Sequence, residues 1–409
     1  MTLHVFNPEH DIALASGLSN FTAPHAGRQL RHDLGWLPAI WADEGDIVLV
    51  DDEDTAAKGI ARLNAAIAAS ERKKTANSQK SGRVSARFVT KADLRHLKPT
   101  SIDAWGWDAA LRAKLLAAGI DEHLMPSEAQ TGDIRELSHR REAAELLMQL
   151  TQGQSSMTEG ADRCLLTGEA AECRSEEEVA ALLDRWSKVV IKAPWSSSGR
   201  GIRFVNAQIF PRTSQLEPCT SNLVPRTSSD SPLASISGWL RNVLKAQGSV
   251  MVEPYYNKVC DFAMEFSSDG CGHIAYEGLS LFDTANGAYT GNLLATERRK
   301  REEMSRYLPL TLLDETCERI CSLLKETTGR RYKGPFGIDM MVVGSETGEG
   351  GFLLHPAVEI NLRRTMGHVA LKLTPYVNPE EDDERVSVMR IAYEGGQYKQ
   401  KIEKKPIAQ

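Results

Sequence analysis

The chain has 409 residues, 41% of them apolar and 25% charged, with a formal net charge of −6. This length allows two or three domains, and the composition is that of a folded globular protein. The acidic balance speaks against a nucleic-acid surface, no uninterrupted apolar stretch reaches membrane-spanning length, and the seven scattered cysteines without a C-x-x-C pair fit free thiols rather than a disulfide framework or zinc site. MTLHVFNPEHD carries no basic region and no long apolar run, so no signal peptide is read and a cytoplasmic location is expected.

Leu3, Val5 and Phe6 predict a first strand, closed by Asn7-Pro8. His10, Asp11, His25 and Arg28 come next, in a region rich in turn residues. They read either as caps and surface polarity, the commoner case, or as an acceptor-substrate site at a strand-to-helix junction. DIVLV (46–50) predicts a second strand and 55–69 a helix, whereas the polar run 70–83 has no apolar anchors. A third strand at 86–89 and a helix at 109–118 complete an alternation that implies a small α/β domain up to about residue 125.

Residues 134–150 predict one amphipathic helix, with Arg140 and Arg141 near its start, and Ser175 to Glu178 predicts a capping box opening the next. The stretch from Lys188 to Phe204 is the centre of the chain's organisation. Val189, Val190 and Ile191 form a buried strand with Lys192 at its end, where its ammonium is expected to stand outside the core. The loop of Ser196, Ser197, Ser198, Gly199 and Gly201 comes after it, with Arg200 inside the loop, before Ile202 and Phe204 resume an alternating pattern. Small residues let backbone N–H groups approach an anion, so this reads as a flap over phosphates; by itself the pattern more often marks an ordinary hairpin. No G-x-x-x-x-G-K-[ST] or G-x-G-x-x-G fingerprint is present.

Residues 211–234 are dominated by Ser, Thr and Pro and read as a disordered insertion. A helix at 236–246, strands in SVMVEPYY, DFAMEF and HIAYEGLSLF, and a basic, mobile run TERRKREEM come next. After a helix at 312–327, GPFGIDMMVV and GFLLHPAVEINL predict two strands joined by a turn-rich segment. Beyond Asn378 the charged tail shows little periodicity and is expected to be poorly ordered. Glu359 and Asn361, two apart on one strand, project to the same face, and the hairpin returns Asp339 towards them. Two carboxylates and an amide oxygen suit Mg²⁺. They are otherwise three exposed strand polars, although an acid and an amide in apolar strands are costly to bury unpaired.

In this order the motifs resemble the ATP-grasp superfamily over about residues 126–375. VVIKAPWSSSGRGI is similar to its nucleotide lysine and phosphate-covering loop, MVEPYYNKVCDFAMEF to its adenine-holding linker strand, and GIDMMVV with VEINLR to its metal strands. The resemblance implies an α/β fold of the α+β ATP-grasp kind: a small α/β domain at 1–125, a two-lobed ATP-grasp domain at 126–378 and a tail at 379–409. It implies ATP and Mg²⁺ as cofactors. Lys192 and Arg140 would hold phosphates. Glu253 would take the adenine amino group, Tyr255 and Tyr256 would offer backbone groups, and Asp261 would face the ribose. Asp339, Glu359 and Asn361 would hold the metal. Arg363, Arg364 and Arg200 are candidates for gripping the acceptor carboxylate or acylphosphate, since a guanidinium binds such groups bidentately; two solvated arginines after a strand are an equal alternative for Arg363 and Arg364. The implied activity is ligation of a small-molecule or peptide carboxylate to an amine or thiol through an acylphosphate, with no nucleic-acid or membrane partner. A small-molecule kinase and a non-catalytic nucleotide-binding module are the alternatives.

Overall fold

The computed structural model describes residues 1–71, 83–152, 165–196, 201–207, 232–285, 288–345, 351–378 and 386–404. Ser197, Ser198, Gly199, Arg200 and most of the 211–234 insertion lie outside these residues. The fold is mixed α/β, built on one parallel and two antiparallel sheets.

The chain opens with β1 (Thr2–Val5), α1 (His10–Ser16), α2 (His25–Leu34), β2 (Ile47–Leu49), α3 (Glu53–Glu71), β3 (Arg87–Val89), β4 (Ser101–Ala104) and α4 (Ala109–Ala117). The strands form a parallel sheet in the order β3-β2-β1-β4. Strand β4 adds to the three strands expected from the sequence: SIDA is short, and only Ala104 of its four residues is buried. The connection that carries it to the far side of β1 leaves a crevice at the carboxyl ends of the strands, where open parallel sheets bind their ligands.

The predicted helix at 134–150 is two helices, α5 (Glu128–Leu137) and α6 (Arg140–Gln152). The break has a local cause. The Ser138 hydroxyl donates to the Ile134 carbonyl, and the His139 Nδ1 accepts the Arg141 N–H, so a side chain takes over one of the first orphan donors of the second helix. Arg140 is thereby placed at a helix start rather than on a helix face.

A second sheet is made by β5 (Ala171–Cys173), β6 (Lys188–Lys192), β7 (Ile202–Asn206) and β8 (Val250–Pro254), in the order β5-β8-β6-β7, with α7 (Glu176–Trp186) and α8 (Ser237–Gln247) packed on it. Val179, Leu183, Val189, Ile191, Leu240 and Val252 close its core. Leu233 joins them, so the last residues of the expected 211–234 insertion supply a core anchor.

The third sheet has seven strands, β9 (Lys258–Asp269), β10 (Ile274–Ala285), β11 (Ala288–Leu294), β12 (Lys333–Gly344), β13 (Phe352–Asn361), β14 (Ser387–Glu394) and β15 (Gln397–Lys404), ordered β13-β12-β9-β10-β11-β14-β15. The same part of the chain holds helices α9 (Glu297–Met304), α10 (Leu310–Leu324), α11 (Thr328–Arg331) and α12 (Met366–Val377). Two expectations are corrected here. The run TERRKREEM is helix α9, capped by Thr296 and anchored by Lys300, whose buried ammonium donates to the Leu279 carbonyl and pairs with Glu297. The tail is no structureless segment between 387 and 404. Gly395 and Gly396 both adopt positive φ, which makes a two-residue hairpin turn, and Met389 inserts into a core shared with Trp36, Leu63 and Leu373. Burial in this hairpin is confined to the run Ser387–Met389 and to Gln400, so its sequence shows no alternation.

Among the described residues five cysteines are free thiols, and no helix is long and apolar enough to cross a membrane.

Candidate active site

Lys192 ends β6, opposite Met251 of β8, and its ammonium meets the Glu253 carboxylate at 2.7 Å. Both side chains are 8% exposed. This corrects the expectation that Lys192 stands outside the core: it and Glu253 are a buried ion pair, so the Glu253 carboxylate is occupied by lysine. The Ser/Gly loop begins just beyond. A Cβ on Gly201 would lie 2.3 Å from that of Ser196, so only glycine lets the loop return onto itself, and the Ala193 N–H closes it on the Gly201 carbonyl at 2.8 Å.

Arg140 reaches into this loop from the start of α6. Its guanidinium donates to the Ala193 carbonyl at 2.5 Å, to the Ser196 hydroxyl at 2.7 Å, and to Glu359 at 2.8 Å. One buried side chain therefore joins β6, the loop and β13. The Trp195 indole donates to the Arg135 carbonyl and carries the Arg135 guanidinium 4.1 Å above its ring. Trp195 and Arg135 are additions to the expected site; their only signal is nearness to the loop and to Arg140 along the sequence.

The predicted carboxylate–amide trio comes together. Asp339 of β12 faces Glu359 of β13 across the ladder, Gly337 faces Asn361, and Asn361 is hydrogen-bonded to Asp339. Burial, and after it the charges of Glu359 and Glu265, push the Asp339 carboxyl up to about 8, against the pull of Arg363. Among the described residues no three His, Cys, Asp or Glu side chains converge as a metal cage. Two crowded carboxylates and an amide match instead an ion that takes its remaining oxygens from phosphate and water, as Mg²⁺ does.

The two arginines after β13 are not solvated. Arg363 donates to both oxygens of Asp11 at 2.8 and 2.9 Å, and to the side-chain amide oxygen of Asn361 at 3.0 Å. Burial disfavours its charge, but Asp11 outweighs that and raises its pKa. Arg364 donates to both oxygens of Asp103 at 2.9 and 3.0 Å and lies 4.5 Å above the Trp41 ring. Both therefore tie the end of β13 to the first part of the chain. A narrow cleft lined by Asp11, Ser138, Trp195, Ser196, Glu359 and Asn361 opens beside Arg363, and neither Arg363 nor Arg364 is part of its lining. Of the N-terminal polar residues, Asp11 enters this site. The Arg28 guanidinium instead donates to the Ala23 carbonyl at 2.7 Å.

The linker residues divide. The Tyr255 N–H is taken by the Lys188 carbonyl, and the Tyr255 ring, exposed to solvent, carries the Lys188 ammonium 3.3 Å from its centroid. The Tyr256 hydroxyl accepts the Glu169 N–H, and its ring meets that of His355 edge-on at 5.4 Å. Asp261 accepts from Lys258 at 2.5 Å and from Thr284 at 2.6 Å, on β9 rather than beside Glu253. His355 is a further residue that the sequence leaves unmarked. It is 1% exposed, both ring nitrogens lack hydrogen-bond partners, and burial together with the nearby Lys192 charge lowers its pKa to about 3.

Comparison with known proteins gives no matching family model and no matching curated protein. Solved structures do match. An N5-carboxyaminoimidazole synthetase from Staphylococcus aureus complexed with ADP aligns over 96% of this chain and 82% of its own, at 11% identity and a TM-score of 0.44. A biotin carboxylase–β,γ-ATP complex from Campylobacter jejuni aligns over 95% and 75%, at 12% and 0.47. An L-amino acid ligase from Bacillus licheniformis aligns over 96% and 80%, at 10% and 0.43.

Proposed function

We propose that this chain is an ATP- and Mg²⁺-dependent ligase of the ATP-grasp kind, which activates a carboxylate as an acylphosphate for attack by an amine or thiol. The observation that carries the reading is the convergence of Asp339, Glu359 and Asn361 on adjacent strands with Arg140, which from the start of α6 bridges the same Glu359 to the loop beside Lys192. Phosphoryl transfer asks a protein for positioning and charge neutralisation more than covalent help. Arg140 and Lys192 supply cations for the phosphates, each already desolvated and held by a carboxylate that phosphate oxygens can replace. Asp339, Glu359 and Asn361 would hold Mg²⁺, and bound there it offsets charge on the transferring phosphoryl group. Arg363 stands beside this trio, where a carboxylate substrate could share its guanidinium with Asp11.

Glu359→Gln tests the reading. It keeps shape but removes a ligand charge. ADP and phosphate formation with ATP, Mg²⁺ and an amino-acid panel should fall by orders of magnitude. The melting temperature without nucleotide should stay within a few degrees, because the amide oxygen that replaces the carboxylate can still accept from the Arg140 guanidinium and the loss of repulsion from Asp339 offsets the lost charge. Retained turnover in this variant removes the metal-strand mechanism.

A further inference from the structure

A second cavity lies away from this site, in the crevice at the carboxyl ends of the parallel strands. It encloses about 220 Å³, more than an order of magnitude above what a single water needs. Its walls are largely apolar: Val5 and Phe6 at the end of β1, Leu49 at the end of β2, Ala13 of α1, and Leu111 and Leu115 of α4. None of its lining residues lines the cleft beside Arg363.

Two features make it more than a gap in packing. Glu9 lines it and is 4% exposed, yet only one of its carboxylate oxygens is satisfied, by Arg31; the other, Oε2, is buried without a partner. A buried carboxylate oxygen left unmet is costly, and a ligand's charged N–H removes that cost. Two other acids line the cavity: Asp108, whose oxygens are used by the Leu111 N–H and the Asn7 amide, and Asp51, which faces solvent and pairs with Arg31, so Glu9 is the buried acid left with capacity. Lys91 and Lys114 line the cavity, are exposed, and carry no ion pair among the described residues.

We propose that this cavity binds an apolar α-amino acid: its ammonium on Glu9 Oε2, its hydrocarbon side chain against Val5, Leu49, Leu111 and Leu115, and its carboxylate towards Lys91 and Lys114. The ligand needs an N–H cation, an apolar body and an anion within a space of this size, and an amino acid such as leucine supplies all three. Such binding is independent of the ligase chemistry, since it requires neither nucleotide nor turnover.

The test is calorimetric titration of the full chain, without nucleotide, by L-leucine, by 4-methylpentanoate, which lacks the amino group, and by 3-methylbutylamine, which lacks the carboxylate. Leucine should bind and raise the melting temperature. Loss of the amino group should weaken binding at least about tenfold and loss of the carboxylate several-fold. Glu9→Gln should reproduce the first loss. Lys114→Ala, an exposed helix position that leaves the fold intact, should reproduce part of the second. Unchanged leucine affinity in Lys114→Ala or in a folded Glu9→Gln overturns the proposal. So does the absence of heat and of a melting shift with leucine, methionine and phenylalanine at millimolar concentration.

Discussion

Lys192 is where the fold and the site make opposing demands. Its ammonium and the Glu253 carboxylate neutralise one another in a buried setting, and removing one partner strands the other. Lys192→Met should therefore cost about 3–5 kcal/mol of stability besides abolishing nucleotide binding. The double variant Lys192→Met with Glu253→Gln should recover most of that stability and none of the binding. Denaturant melts and calorimetry with ATP on both variants separate the two effects, and a single variant that melts like the parent would show the pair to be solvated. The same logic explains why Arg140 serves better than lysine at its position. A lysine could not donate at once to the Ala193 carbonyl, the Ser196 hydroxyl and Glu359 from one rigid planar head.

At the level of elements, the first sheet is clamped by a titratable group. His4 on β1 meets Asp103 of β4 at 2.9 Å and Asp46 at 3.1 Å. Burial disfavours its charge, but the hydrogen bonds and charges of these two acids outweigh burial and raise its pKa above the usual histidine value. Because the folded state holds the proton more tightly than the unfolded chain, the stabilisation is complete below the usual histidine value and is lost as pH rises through the raised one. The parent should thus lose stability as pH rises from the usual histidine value through the raised one. His4→Gln should flatten that slope while starting from lower stability, and a parallel pH profile in the variant would exclude His4 as its source. The same element level shows what the sequence conceals. The GIDMMVV and VEINL strands are legible because apolar runs surround isolated polar residues. Strand β4 is not, because a four-residue edge strand with one buried side chain has no periodicity to detect. The hairpin β14–β15 carries its signal in Gly395-Gly396, but its buried residues are the consecutive Ser387, Val388 and Met389 with Gln400 on the partner strand, which leaves no period of two to detect.

Across the whole molecule, the first part of the chain and the end of β13 are held together by two side chains from consecutive residues. Arg363 grips Asp11, and Arg364 grips Asp103 while stacking on Trp41. Beside them, Phe6, Trp36 and Trp105 share a core with Leu294, Val369, Leu373 and Met389, so the first and last parts of the chain bury one another. Arg364→Ala leaves Asp103 with His4 and Trp41 but breaks the link to β13, and should lower stability by about 1–3 kcal/mol. Arg364→Lys should recover only part, since a point charge cannot replace a two-oxygen contact and a stacked plane. Thermal melts of both variants check this; indistinguishable melts for Arg364→Ala and the parent would show the contact to be decorative.

The sequence by itself determined the local parts of this protein. A β-branched run ended by Lys192, a loop of small residues that must bend on itself, and Glu359 and Asn361 two apart on a strand are all set within a few residues by backbone geometry and side-chain spacing. Tertiary structure alone decided what those parts meet. Nothing within reach of Lys192 along the chain announces Glu253, 61 residues away, as its partner. Nothing beside Arg363 announces Asp11, 352 residues away, and nothing beside Glu9 announces the cavity it lines. Spacing constrains side chains only over the few ångströms that one strand or helix turn spans. The free energy of a buried charge depends on every atom packed around it, and those atoms are assembled from the whole length of the chain.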